Sequence, residues 1–206
     1  FSIIFSLCYY LVILLLIYYA FIITIYFIGM KLFPETADNI MKLQNKVVMV
    51  ILGSGGHTTE MITLLKNHHF EKYYNTTVII AEGDIFSKHK FEKSYRKNHG
   101  IELSDYEKMG KLTYQVINRS RKVGQSFPSA VLTTLIASFE CVQIFLSSRP
   151  DIIISNGPGT ALPLFYIGFL FGKILLLKPK VKLLYIESIA RLSSLSLTGK
   201  LVYYIC

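Results

Sequence analysis

The sequence predicts an α/β fold: an open parallel sheet wrapped by helices on both faces, preceded by a transmembrane helix. Three observations lead there. Apolar, β-branched runs recur along the chain, most are closed by glycines or acidic residues, and segments with helical spacing lie between them. Strands buried on both faces of a parallel sheet read as continuous apolar runs rather than as alternations, and "KVVMVIL" (46–52) does.

Residues 1–30, "FSIIFSLCYYLVILLLIYYAFIITIYFIGM", contain no Asp, Glu, Lys, Arg or His. A spanning helix needs about 20 apolar residues, and at about 1.5 Å per residue this stretch reaches roughly 45 Å. A cleavable signal has an apolar centre of only about 7–15 residues before a small-residue site, so the stretch is expected to remain as an anchor. Tyr9, Tyr10, Tyr18, Tyr19 and Tyr26 suit the membrane interface. Residues 31–46, "KLFPETADNIMKLQNK", are polar, carry a proline and read as a linker. Lys31, Lys42 and Lys46 just beyond the span place the rest of the chain on the cytosolic side by the positive-inside tendency.

The domain proper is expected over 47–206. "KVVMVIL" (46–52) is a buried strand, and "TTEMITLLKNH" after it has Met61, Ile62, Leu64 and Leu65 at helical offsets. "TTVIIAEGD" (76–84) repeats the strand-then-break pattern, and a charged helix follows near 86–98. A strand "LTYQVI" (112–117) and a long apolar-rich helix from about Pro128 to Ser147 come next. "PDIIISNGPG" (150–159) and "VKLLYIES" (181–188) supply two more strands. Between them "TALPLFYIGFLFGKILLL" (160–177) is apolar but broken by Pro163, Gly168, Gly172 and Lys173, which favours a buried or interfacial helix over a second span. The chain opens on Phe and stops at "GKLVYYIC" without a turn or cap, so it reads as a fragment of a longer protein, missing sequence at both ends and with its domain truncated C-terminally.

The formal charge of +9, from 22 Lys+Arg against 13 Asp+Glu, lies wholly beyond Met30. A basic domain on a membrane tether suits anionic head groups or phosphates. Zinc spacing, a basic helix and an RNA-binding signature are all missing, which argues against nucleic acid as the partner. Cys8, Cys141 and Cys206 are odd in number and widely spaced, as free thiols in a reducing compartment would be.

Chemistry concentrates at two glycine junctions. The first, Gly53-Ser54-Gly55-Gly56-His57-Thr58, joins a strand to a helix, where free N–H groups and the helix dipole attract anions. A triphosphate loop requires Gly-Lys-Ser/Thr, yet no lysine occurs before Lys66. A dinucleotide fingerprint starting at Gly53 requires a third glycine where Thr58 stands, although Glu82 and Asp84 can imitate its ribose ligand. The second junction, Ser155-Asn156-Gly157-Pro158-Gly159-Thr160, also ends a strand, so both turns belong on one edge of the sheet and frame a cleft. Glu187, Ser188 and Arg191 end the last strand, while Arg119, Arg121 and Lys122 in "NRSRKVGQS" can approach a diphosphate, or else form a solvated basic face. His57 is the one histidine at these junctions; imidazole ionises near neutrality, which suits a general base, a hydrogen-bond donor or a turn cap.

The blocks "VILGSGGHTTEMITLL", "NRSRKVGQSFPSAVLTT", "RPDIIISNGPGTALP" and "LYIESIARLSSLSLTGKLVYY" resemble, in order, the membrane-anchored subunit family of the dolichol-pathway UDP-N-acetylglucosamine transferase. The resemblance covers nearly all of Val47 to Tyr204. It implies a Rossmann-like domain that forms the N-terminal, acceptor-side half of a split GT-B glycosyltransferase, inactive without a soluble catalytic partner that binds UDP-N-acetylglucosamine. Together the two would add the second, β1,4-linked N-acetylglucosamine to N-acetylglucosaminyl-diphosphodolichol on the cytosolic face of the endoplasmic reticulum, with a single-pass anchor. The bacterial transferase that builds lipid II is similar in layout. By that likeness His57 is the candidate base and Glu187 a further catalytic candidate. Gly53, Ser54, Gly55, Gly56 and Thr58 would face the acceptor diphosphate, with Asn156, Gly157, Gly159 and Thr160 opposite and Ser188 and Arg191 lining the same cleft. No cofactor and no metal are expected, since no Asp-x-Asp cluster occurs. Family members continue past "GKLVYY" into a further strand and a partner-binding tail. Two other readings stand beside this one: a recruitment scaffold that binds no acceptor, and a nicotinamide-dependent oxidoreductase domain.

Overall fold

The computed structural model describes residues 46–67, 75–118, 127–175, 181–191 and 194–206, together with Tyr10 and Ile13. Apart from those two residues, the expected anchor (1–30) lies outside the described residues, as do most of the linker and the run containing Arg119, Arg121 and Lys122.

Five strands form one sheet: β1 (Val47–Ile51), β2 (Asn75–Ala81), β3 (Leu112–Ile117), β4 (Ile152–Ser155) and β5 (Lys182–Tyr185). Their spatial order is β3-β2-β1-β4-β5, and every pairing is parallel. Parallel neighbours need crossover connections, and the helices supply them. These are α1 (Gly56–Leu64), α2 (Ile85–His99), α3 (Leu103–Lys108), α4 (Phe127–Ser148), α5 (Ala161–Ile167) and α6 (Leu197–Val202). Each of the five strands read from the sequence is present, as are the helices expected after β1 and β2 and before β4.

Side chains alternate across a strand, so β1 feeds two cores. Met49 and Ile51 join Ile79, Ile153, Phe145, Leu164 and Phe165 beneath α4 and α5. Val48, Val50 and Leu52 join Met61, Val78, Phe91 and Leu103 beneath α1, α2 and α3. Each fully buried aliphatic side chain stabilises by about 1.5–3 kcal/mol, which explains why an uninterrupted apolar strand belongs in the middle of this sheet.

The interrupted stretch 160–177 folds into the first of these cores. α5 buries Ala161, Pro163, Leu164, Phe165 and Ile167, then loosens into a π-helical turn over Gly168–Ile174. Lys173, the charge that breaks the apolar run, donates to the carbonyl of Ile205 at 3.0 Å. Among the described residues no helix is long and apolar enough to cross a membrane.

Strand order reverses between β1 and β4. Chain direction moves outward from β1 through β2 to β3, and α4 then carries it back to β4 on the other side of β1. Open α/β sheets bind ligands in the crevice outside the carboxyl ends of the strands at such a switch point. Both glycine junctions leave the sheet there, since Ile51 and Ser155 are register partners at the ends of β1 and β4.

Candidate functional site

The first turn, after β1, is exposed at Ser54, Gly55 and Gly56. Gly55 takes φ +61° and caps the nine-residue α1 without any side-chain hydrogen bond, and no acidic residue occupies the helix's first turn. The leading N–H groups of α1 therefore start at two exposed glycines with no side chain capping them, which is the arrangement that receives an anionic oxygen.

The second turn, after β4, closes on the first from the opposite side. Gly157 has φ +105°, and a Cβ there would lie 2.9 Å from Cε1 of His57 and 3.3 Å from its Nδ1. A Cβ on Gly53 would lie 2.6 Å from the Cβ of His57 and 3.0 Å from that of Pro158. Both glycines thus make room for His57, Gly53 at its Cβ and Gly157 at its imidazole. Asn156, fully buried, donates through Nδ2 to the carbonyl of His57 at 2.7 Å and to Oε2 of Glu60 at 3.1 Å. Ser188, in the loop after β5, donates to Oε1 of Glu60 at 2.8 Å. One carboxylate on α1 therefore holds the loops that follow β4 and β5.

His57 turns its Nδ1 inward, 3.8 Å from Oε2 of Glu60, while its side chain stays about one-third exposed. That Nδ1, Oδ1 of Asn156 and Oγ of Ser155 are buried without a hydrogen-bond partner. Native interiors leave few such atoms, and here three gather at the end of β4 and the start of α1.

Several residues read as contacts serve other ends. Thr58, assigned to the diphosphate, is fully buried; its hydroxyl donates to the carbonyl of Gly53 and meets Oγ of Ser87 at 2.7 Å. Ser87 in turn bonds Asp84 at 2.7 Å, and Asp84 caps α2. Thr58 thus fixes the turn from behind and does not face the cleft. Asp84, buried in that cap, is not disposed to take a ribose hydroxyl, which weakens the dinucleotide alternative.

Glu187, the second catalytic candidate, accepts through Oε2 from the backbone N–H of Ser196 at 3.0 Å and from its hydroxyl at 3.2 Å. It anchors the start of α6, where Ser196 also caps Gly199 at 2.9 Å. Tyr185 meets the same Ser196 hydroxyl at 2.9 Å, and burial pushes its own hydroxyl above the usual tyrosine range. The carboxylate beside His57 is Glu60 instead. Its position three residues on along α1 was the available signal, because residues at i and i+3 share a helix face.

Gly159 and Arg191 are exposed and Thr160 half-exposed at the same edge, with the Arg191 N–H donating to the carbonyl of Ser188 at 2.9 Å. The site thus gathers Gly53, Ser54, Gly55, Gly56, His57, Asn156, Gly157, Gly159, Thr160, Ser188 and Arg191 around the ends of β1, β4 and β5. Among the described residues no group of three His, Cys, Asp or Glu could hold a metal ion.

Comparison with known proteins adds independent findings. The family model described as "Oligosaccharide biosynthesis protein Alg14 like" matches residues 48–206. A Yarrowia lipolytica protein named UDP-N-acetylglucosamine transferase subunit ALG14 is 33% identical over 165 residues, covering 80% of this chain and 72% of its own length. The Homo sapiens protein of that name is 35% identical over 164 residues, covering 77% of this chain and 71% of its own. The Mus musculus protein is 36% identical over 167 residues, covering 77% and 71%. Among solved structures, Acinetobacter baumannii MurG superposes with a TM-score of 0.51 at 14% identity. The match covers 79% of this chain and 39% of the MurG chain, so the likeness is one of fold over a part of that protein.

Proposed function

Because the chain belongs to the Alg14-like family of oligosaccharide biosynthesis proteins, we propose that its glycine-lined cleft binds the acceptor of a UDP-N-acetylglucosamine transferase. The chain is one subunit of that enzyme. The acceptor is N-acetylglucosaminyl-diphosphodolichol, and the product carries a second N-acetylglucosamine in β1,4 linkage. A soluble catalytic subunit supplies UDP-N-acetylglucosamine, and the apolar 1–30 segment tethers the pair to the endoplasmic reticulum with this domain on the cytosolic face.

The observation that carries this reading is the convergence of the two glycine turns on His57, directly beside the uncapped start of α1. The exposed backbone of Ser54, Gly55 and Gly56 offers N–H donors to a diphosphate, and Gly157, Gly159 and Thr160 bound the cleft on the other side. A net charge of +9 favours an anionic acceptor and an anionic leaflet. With the diphosphate held at α1, the acceptor sugar lies toward His57. Its hydroxyl oxygen attacks the anomeric carbon of the donor, the bond from that carbon to UDP breaks with its electron pair leaving on UDP, and the hydroxyl proton passes to His57. Holding both reactants in place supplies much of the acceleration, and the base supplies a further factor of about 10²–10⁴.

The test is His57→Ala in the complex assembled with its catalytic partner. Turnover should fall by about 10²-fold or more while the partner still co-purifies; turnover near that of the unaltered complex would reject the base role.

A further inference from the structure

We infer that Glu60 is the positioning residue of this site, orienting His57 through Nδ1 and binding the loops after β4 and β5 to α1. The inference deepens the acceptor-base reading of His57 and rests on it.

Glu60 stands one helical turn beyond His57 on α1, so the two side chains share a face. Its carboxylate offers about four acceptor positions. Two are taken, by Ser188 at 2.8 Å and Asn156 at 3.1 Å. Oε2 still faces the buried, unpartnered Nδ1 of His57 at 3.8 Å. That separation is longer than a hydrogen bond, and a ring movement of under about 1 Å closes it to the usual length near 3 Å. Catalytic hydrogen bonds are commonly long before substrate binds.

The arrangement selects a tautomer. A proton on Nδ1 has a carboxylate to face, whereas a proton on Nε2 leaves Nδ1 with no donor in reach. Nδ1–H toward Glu60 leaves the Nε2 lone pair on the open side of the ring, which is the state a general base requires. When Nε2 takes the acceptor proton, the imidazolium is balanced by the facing Glu60 carboxylate, as in a base held by a neighbouring acid. Glu187 stays committed to Ser196 and Arg191 is exposed, so Glu60 is the carboxylate placed for this task.

The experiment is a double-mutant cycle in the assembled complex, with N-acetylglucosaminyl diphosphate on a short polyisoprenoid as acceptor. Glu60→Gln should lower kcat by about tenfold or more with acceptor KM changed by less than about threefold. Added to His57→Ala it should cost no further kcat, because Glu60 acts on the chemical step only through the residue that it orients, while the glutamine amide oxygen can still accept from Ser188 and keep the loop tied. Glu60→Asp keeps the charge but withdraws it by one methylene, and it should show the same kcat loss with partner recruitment intact, which serves if the glutamine variant does not fold. Full activity of both Glu60 variants beside a slow His57→Ala overturns the Glu60 inference alone. Losses that multiply rather than coincide also overturn it. A near-normal His57→Ala overturns the base reading and this inference with it.

Discussion

Replacing Gly157 by alanine tests the central geometry with the smallest possible addition, one methyl group. Its Cβ would lie 2.9 Å from Cε1 of His57, whereas carbon atoms rest about 3.5–4.0 Å apart, so the ring must retreat by about 0.6 Å or more. The backbone bears a second cost, since φ of +105° lies where an L-residue is strained by about 1–3 kcal/mol. Gly100→Ala is the control. Gly100 has φ +70° at the end of α2 with no heavy atom within 4 Å of its would-be Cβ, so it carries a left-handed backbone cost of about 1–2 kcal/mol and no collision. Both variants should lower the unfolding midpoint of the assembled complex, Gly157→Ala by the larger amount because it adds a collision to the backbone cost, and both should still recruit the catalytic partner. Only Gly157→Ala should lose turnover, by about 10–100-fold, because displacement of this order at a reacting group costs that much. Equal turnover of the two variants to within about twofold would refute the argument that the second glycine exists to seat His57.

Two further outcomes follow from packing. Thr58→Val keeps shape but removes the hydroxyl that meets the Gly53 carbonyl and Ser87; leaving those buried partners short should cost about 1–3 kcal/mol, read as a lower urea midpoint. Burial of Cys141 pushes its thiol up to about 12 from 9.0, so from pH 9 toward 12 the unfolded chain loses a proton that the folded chain keeps. That contribution is whole below pH 9 and declines as pH rises, by up to about 1.4 kcal/mol per pH unit; Cys141→Ala should flatten the alkaline decline in a stability–pH series, and an unchanged slope would count against the burial argument.

The strands were legible because β1 to β4 set β-branched residues in short apolar runs and β5 pairs two leucines. β3 was read to the residue, Leu112–Ile117. Shorter helices were not. α3 has six residues, too few for a period to repeat, and is fixed by Leu103 and Tyr106 turning under α2. α6, "LTGKLV", hides behind Gly199, which a propensity reading treats as a breaker; the glycine is there because a Cβ would collide with the Glu187 carboxylate. The cleft could be read because both glycine turns follow strands, but their adjacency depends on β1 and β4 pairing across the reversal of strand order. Roles within it were harder. Thr58 and His57 are neighbours in sequence, yet helical rotation sends one into the core and leaves the other at the cleft. Glu60 and Glu187 exchange importance for the same reason: chain position near a motif does not say which way a side chain points.

The choice between an acceptor site and a bare docking scaffold turns on what the edge of the sheet costs the fold. A surface kept only to recruit a partner gains nothing from two glycines in the left-handed region, Gly55 and Gly157, at the ends of adjacent strands, since each loses more conformational freedom on folding than another residue would. Nor does it gain from leaving His57 Nδ1, Asn156 Oδ1 and Ser155 Oγ buried without partners, when each such atom forfeits about 1–3 kcal/mol of hydrogen bonding. The same chain satisfies its other polar groups nearby with care: Thr58, Ser87 and Asp84 form a closed network one turn away. Costs of this kind persist where function maintains them. Buried unpartnered atoms also occur away from the cleft, as on Asn75 and Thr76; what sets this edge apart is that three of them meet two left-handed glycines on adjacent strands beside the free N–H groups of α1, where the cleft would hold a diphosphate and present a hydroxyl to His57.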